Sequence, residues 1–102
     1  MALDRTYTLD VPEVGGFVFR KRRVPDQVRI EADQARMLGG PVDNVNLENI
    51  AMAHATLGVL TVKGPEGWDL DALDPLDPDD TDKIWAVWRA LRAQEATFRK
   101  GA

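Results

Sequence analysis

The chain contains neither cysteine nor serine, and only one histidine, His54. The missing cysteines exclude a disulfide framework, a thiolate nucleophile and a thiolate-ligated zinc, and they leave the redox compartment open. Without serine there is no seryl hydroxyl for a histidine to activate, and a lone histidine has no second imidazole with which to hold a metal. Glycine-rich phosphate loops are missing too, since Gly15-Gly16 and Gly39-Gly40 lack the further glycines and the lysine such loops need. No apolar run approaches the roughly 18 residues needed to cross a bilayer, and Met1-Ala2-Leu3-Asp4-Arg5 lacks the apolar core of a secretory leader. The inventory predicts a cytoplasmic protein with no catalytic residues, no cofactor and no metal centre, whose work is to bind another protein.

Positive charge is also in short supply. Thirteen Lys and Arg stand against seventeen Asp and Glu, a formal net charge of -4 that favours solubility and argues against broad nucleic-acid binding. What is present suits a packed core: 44% apolar and 29% charged residues over 102 positions predict one domain spanning 1–102, without wholesale disorder.

Tyr7, Leu9 and Val11 alternate with Thr8 and Asp10, the period of a strand with one buried face, and Phe17-Val18-Phe19 follows a glycine turn at Gly15-Gly16. A β-hairpin is therefore expected over about 5–22. A first helix is expected over 25–38, with Pro25 in its first turn, Asp26 at its positive end, and a stripe of Val28, Ala32, Ala35 and Leu38. Ile30 and Met37 fall on its opposite side. A second helix, over 44–63, has capping residues in Asp43, Asn44 and Asn46, and no charge between Glu48 and Lys63. Leu47, Ile50, Ala53, His54, Leu57 and Leu60 make one broad face while Val59 and Val62 lie elsewhere, the pattern of a central helix packed by several neighbours. A third helix, over 80–99, starts on Asp79, Asp80 and Thr81 and carries Ile84, Val87, Trp88, Leu91 and Phe98. Between these two helices lies an acidic Pro- and Gly-rich loop, 64–79, which Trp68, Leu70, Leu73 and Leu76 are numerous enough to tie down. The fold class is α+β: an N-terminal β-hairpin followed by three α-helices, mainly helical.

The carboxylates Glu66, Asp69, Asp71, Asp74, Asp77, Asp79, Asp80 and Asp82 suggest calcium, but the match is poor. Leu73 takes a ligand position, Asp74 replaces the glycine of the sharp turn, and Asp80 stands where the loop needs Glu. A solvated loop and helix cap is the preferred reading, a docking surface for a basic partner the next, and a metal site the last. His54 reads as a satisfied core or interface histidine. Arg20-Lys21-Arg22-Arg23 reads as a solvated strand end paired with the acidic loop rather than a phosphate contact, for want of a second basic run or stacking aromatics. Glu95 is expected to pair with Arg99 in the last exposed turn of the third helix. Trp85, with Arg89, Arg92 and Arg99 along one flank, has the composition of a protein contact site, the alternative being an exposed Trp under a cation. The candidate partner-binding residues are Trp68, Trp85, Arg89, Arg92, Arg20, Arg22 and Arg23.

Several segments, in this order and spacing, resemble one family. They are Gly16-Phe17-Val18-Phe19-Arg20-Lys21-Arg22, Arg29-Ile30-Glu31-Ala32 with Ala35-Arg36-Met37, Ala55-Thr56-Leu57-Gly58-Val59-Leu60-Thr61-Val62, Pro65-Glu66-Gly67-Trp68-Asp69, and Ala90-Leu91-Arg92-Ala93-Gln94-Glu95 with Phe98-Arg99. Together they look like the small tail assembly chaperones of long-tailed bacteriophages and prophages. The resemblance implies a non-enzymatic protein of the host bacterial cytoplasm that keeps the helical tape measure protein soluble and helps tail tube protein assemble around it. It also implies that a longer, frameshifted form is often made. It assigns no residue to the tape measure contact and leaves a homo-oligomer open. The other readings are a small structural protein of the tail or connector retained in the virion, and a nucleic-acid-binding regulator using Arg20 to Arg23.

Overall fold

The computed structural model describes residues 5–100, with side chains as far as Phe98. Strands β1 (Thr6–Val11) and β2 (Gly15–Arg20) form the expected antiparallel hairpin, with Tyr7 opposite Phe19, Leu9 opposite Phe17 and Val11 opposite Gly15. The turn is not at the glycine pair. Pro12 and Glu13 take its corner, the Val14 N–H donates to the Val11 carbonyl at 3.0 Å, and Glu13 has φ 68°. Proline second and a left-handed residue third is the type II arrangement, in which Glu13 occupies a place usually given to glycine. Gly15 is already in β2, at φ 136°, and a Cβ there would lie 2.6 Å from Cβ of Pro65, so both backbone and space demand glycine.

Helix α1 (Val24–Leu38) starts where the Arg23 N–H donates to Asp26 Oδ2 at 3.0 Å, and closes at Gly39, whose φ of 73° lets its N–H reach the Ala35 carbonyl. Its rotation is the reverse of the expected one. Val28, Ala32 and Ala35 are exposed, while Ile30 is fully buried and Asp26 nearly so. Arg22 turns inward and binds Gln27 Oε1 at 2.8 Å, and Gln34 reaches the Glu48 carbonyl of the next helix at 3.1 Å, which sets 26, 30 and 34 toward the interior.

Helix α2 (Val45–Leu60) is capped by Asn44, whose side-chain oxygen accepts the Leu47 N–H at 3.1 Å. Ala51, Ala53, Ala55, Thr56, Leu57, Val59 and Leu60 are buried, so the helix is covered on most sides as its apolar sequence predicts. It ends at Leu60 rather than Lys63. Thr61–Lys63 is a third strand, β3, antiparallel to β2 with Thr61 opposite Phe19 and Lys63 opposite Val18. Thr61 and Val62 are β-branched and Gly64-Pro65 follows, so the last turn of the expected helix gains more from the edge of the sheet. The sheet order is β1-β2-β3.

Helix α3 (Pro78–Lys100) begins two residues earlier than expected, because Asp77 is the cap: its Oδ1 accepts the Asp79 N–H at 2.9 Å, and Pro78 suits the first helical position. Ile84, Val87 and Leu91 are buried as predicted. In the connection, Leu70–Ala72 makes one turn of 3-10 helix, and Trp68, Leu70 and Leu73 pack against the core. Leu76 does not help tie the loop down; it is 89% exposed, carried outward in a turn where its N–H bonds Asp74 Oδ1 at 2.8 Å.

An aromatic row crosses the inner face of the sheet. Trp68 meets Phe17 edge-on at 5.0 Å, Phe17 stacks on Phe19 at 5.4 Å, Phe19 lies 5.8 Å from Tyr7, and Tyr7 meets Phe98 edge-on at 5.0 Å. Phe17 and Phe19 are both fully covered, as are Leu57 and Leu60 of α2 and Leu91 of α3.

Candidate functional site

Two arrangements stand out, one polar and interior, one apolar and open. The interior one centres on Glu95, which sits in the apolar stripe of α3 and is 6% exposed. It does not sit in an exposed turn as expected, and the Arg99 side chain lies outside the described residues. Arg22 donates Nε to Oε2 at 3.0 Å and Nη2 to Oε1 at 3.1 Å, and Arg92 adds a longer contact at 3.4 Å. The basic cluster therefore turns one member inward to α3 rather than outward to the acidic loop. Tyr7 lies in the same region, its hydroxyl buried without a partner among the described residues. Burial raises the Tyr7 phenol well above the ordinary tyrosine value; the Glu95 charge adds to the shift and Arg22 opposes it. A phenol held protonated is no base near neutral pH, and the ion pair is satisfied within the fold, so this region serves architecture.

The residues singled out from sequence do not converge. Trp68 is half-buried against Phe17 and leaves no room for a Cβ on Gly64, an approach of 2.6 Å. Trp85 is half-buried edge-on to Trp88 at 5.9 Å. Arg22 and Arg92 meet at Glu95. Arg20 ends β2 and Arg23 precedes α1, both exposed, while Arg89 lines a shallow polar depression beside Glu13, Asp79 and Asp82.

The open arrangement is a groove of about 240 Å³ between the end of α1, the first half of α2, the 70–75 segment and the start of α3. Met37, Leu47, Ile50, Leu70, Leu73 and Ile84 supply its apolar walls. Leu47 is 49% exposed and Met37 47%. At one side His54 Nε2 lies 3.1 Å from Asp71 Oδ1, so the histidine is satisfied at the edge of the core, and that carboxylate is itself 87% exposed. Sequence reasoning passed over this site. Its available signal was a pair of apolar residues out of place: Met37 off the expected stripe of α1, and Leu47 among Asn46, Glu48 and Asn49.

Among the described residues, no three His, Asp or Glu side chains group as metal ligands would, and no helix is long and apolar enough to cross a membrane. Comparison of the chain with protein families, with curated proteins and with solved structures finds no match.

Proposed function

We propose that the chain is a non-enzymatic phage tail assembly chaperone of the host bacterial cytoplasm, which binds the tape measure protein and assists tail tube assembly. The observation that carries this reading is the open apolar groove rimmed by half-exposed Met37 and Leu47. At about 240 Å³ it lies below the roughly 300 to 1,000 Å³ of pockets that enclose a metabolite or drug-sized ligand. It suits one or two apolar side chains presented by another protein. Apolar side chains gathered around one open recess mark a place where a second surface belongs, whereas exposed ones scattered singly do not. The order and spacing of the segments from Gly16 to Arg99 support the resemblance to that family. Trp85 with Arg89, and Arg20 with Arg23, are accessible enough to serve as secondary contacts.

Co-expression with the tape measure protein of the encoding phage or prophage, followed by pull-down and a solubility assay, tests the reading. Solubilisation and co-purification are the expected result. A tape measure protein that stays insoluble and unbound removes the reading, and detection of this chain in purified particles would then favour a structural tail or connector protein.

A further inference from the structure

The groove has a chemical character beyond its shape. The stretches that build it, 37–54 and 69–84, carry Asp43 and Glu48 in the first and seven aspartates in the second, with Lys83 as their only lysine or arginine. Lys83 itself lies 3.9 Å from Asp80. Several of these carboxylates are committed: Asp74, Asp77 and Asp80 accept backbone N–H groups that hold the loop and the start of α3. Asp71 lines the recess and is exposed, with the His54 ring as its one ion-pair partner among the described residues, and exposed Asp69 lines an adjoining depression that shares His54, Leu70 and Asp71 with it. An apolar floor with an anionic rim attracts a segment carrying apolar anchors between cationic flanks.

The walls also decide the backbone of that segment. They are two α-helices, a 3-10 turn and the first turns of a third α-helix, and the free edges of the sheet lie in β1 and β3, which do not line the groove. An extended peptide would find no strand to pair with, so its N–H and C=O groups would stay unsatisfied wherever they left water. A helix satisfies its own. Met37 at the rim adds an unbranched, polarizable side chain that adapts to differently shaped anchors.

We propose that this groove docks a basic amphipathic α-helix of a partner protein, with apolar anchors one turn apart seated on Leu47, Ile50 and Leu73, and lysines or arginines facing Asp71 and its neighbour Asp69. This rests on the reading of the chain as a holder of another protein's helix, and adds which surface holds it and what charge that helix carries.

The test uses the full chain and two labelled helical peptides with leucines at i, i+3 and i+7, one flanked by lysines and the other identical but for glutamates. Binding is followed by fluorescence anisotropy. The lysine peptide is expected to bind at least about tenfold more tightly, a difference of about 1.4 kcal/mol. The preference should shrink as ionic strength rises from about 0.01 M to about 0.15 M, where the screening length falls from about 30 Å to about 8 Å. Leu47→Asp should abolish binding without unfolding the chain, because position 47 is half-exposed in the first turn of α2, where a carboxylate is favoured. Asp69→Asn with Asp71→Asn should remove the lysine preference and keep residual binding. Equal affinity for the two peptides, or lysine-peptide binding unchanged by Leu47→Asp, overturns the proposal. Self-association of the chain that Leu47→Asp abolishes would assign the groove to a second copy and overturn it as well. A tape measure protein that co-purifies equally with wild type and Leu47→Asp overturns the groove and leaves the chaperone reading standing; lysine-specific binding at the groove with no tape measure capture does the reverse.

Discussion

The Arg22 guanidinium clasps the Glu95 carboxylate with two hydrogen bonds, at 3.0 and 3.1 Å, across 73 residues of chain. The pair joins the residue that leaves the hairpin to the last interior turn of α3, with side chains only 16% and 7% exposed. Removing either partner strands the other where water hardly reaches. Glu95→Ala or Arg22→Ala is expected to cost about 3 kcal/mol in urea unfolding, while Arg22→Met with Glu95→Leu should recover most of the loss. A double-substitution cycle in which the two losses simply add would show that the pair is not coupled.

Tyr7 predicts a pH dependence with a definite sign. Its phenol is held above the ordinary value chiefly by burial, so the folded state prefers the neutral form. The stability this carries is complete below the ordinary tyrosine value of about 10 and is lost progressively as the pH rises above it. Tyr7→Phe should therefore flatten the alkaline limb of a stability profile. At neutral pH the same substitution removes a buried hydroxyl that has no partner among the described residues, and a gain of about 1 kcal/mol is expected. An unchanged alkaline limb in the variant would place the titration elsewhere.

The hairpin turn offers two neighbouring positions with opposite expectations. Glu13→Gly relieves a left-handed non-glycine residue and should raise the melting temperature by a few degrees, for a net gain of about 0.5 kcal/mol after the added chain entropy. Gly15→Ala forces a Cβ into Pro65 at a φ of 136° and should cost at least about 2 kcal/mol. If both substitutions moved stability the same way, the turn would not have the type II form.

The rotation of α1 is checked by two substitutions on opposite faces. Ile30→Ala removes a fully buried side chain and should cost about 3 kcal/mol by thermal or urea unfolding. Val28→Ala, at a position 63% exposed, should change stability by no more than about 0.5 kcal/mol. The reverse ranking would restore the face that hydrophobic spacing alone predicts.

That face shows where sequence reasoning runs out. The alternation of Tyr7, Leu9 and Val11, the Asn44 cap and the Ile84-Val87-Leu91 stripe were legible because each is a local pattern that one element satisfies by itself. The rotation of α1 was not, since it follows from contacts with residues outside the helix, Arg22 on Gln27 and Gln34 on the Glu48 carbonyl, and a helix with apolar residues on both sides carries no local vote for either. Strand β3 was hidden for a similar reason. Thr61-Val62-Lys63 continues an apolar helix pattern, and only the vacant edge of β2 makes it a strand. The groove needed four separate segments brought together, and its local trace was Leu47 in polar company and Met37 off the expected stripe of α1.

Thr61 belongs to two elements at once. Its N–H donates to the Leu57 carbonyl and closes α2, while its backbone pairs with Phe19 in the sheet. No linker separates the helix from the strand, so the end of α2 cannot fray without also peeling β3 from β2. Amide protons around Leu60 and Thr61 are therefore tied to whole-molecule opening, and in deuterium exchange they should be among the last to be replaced.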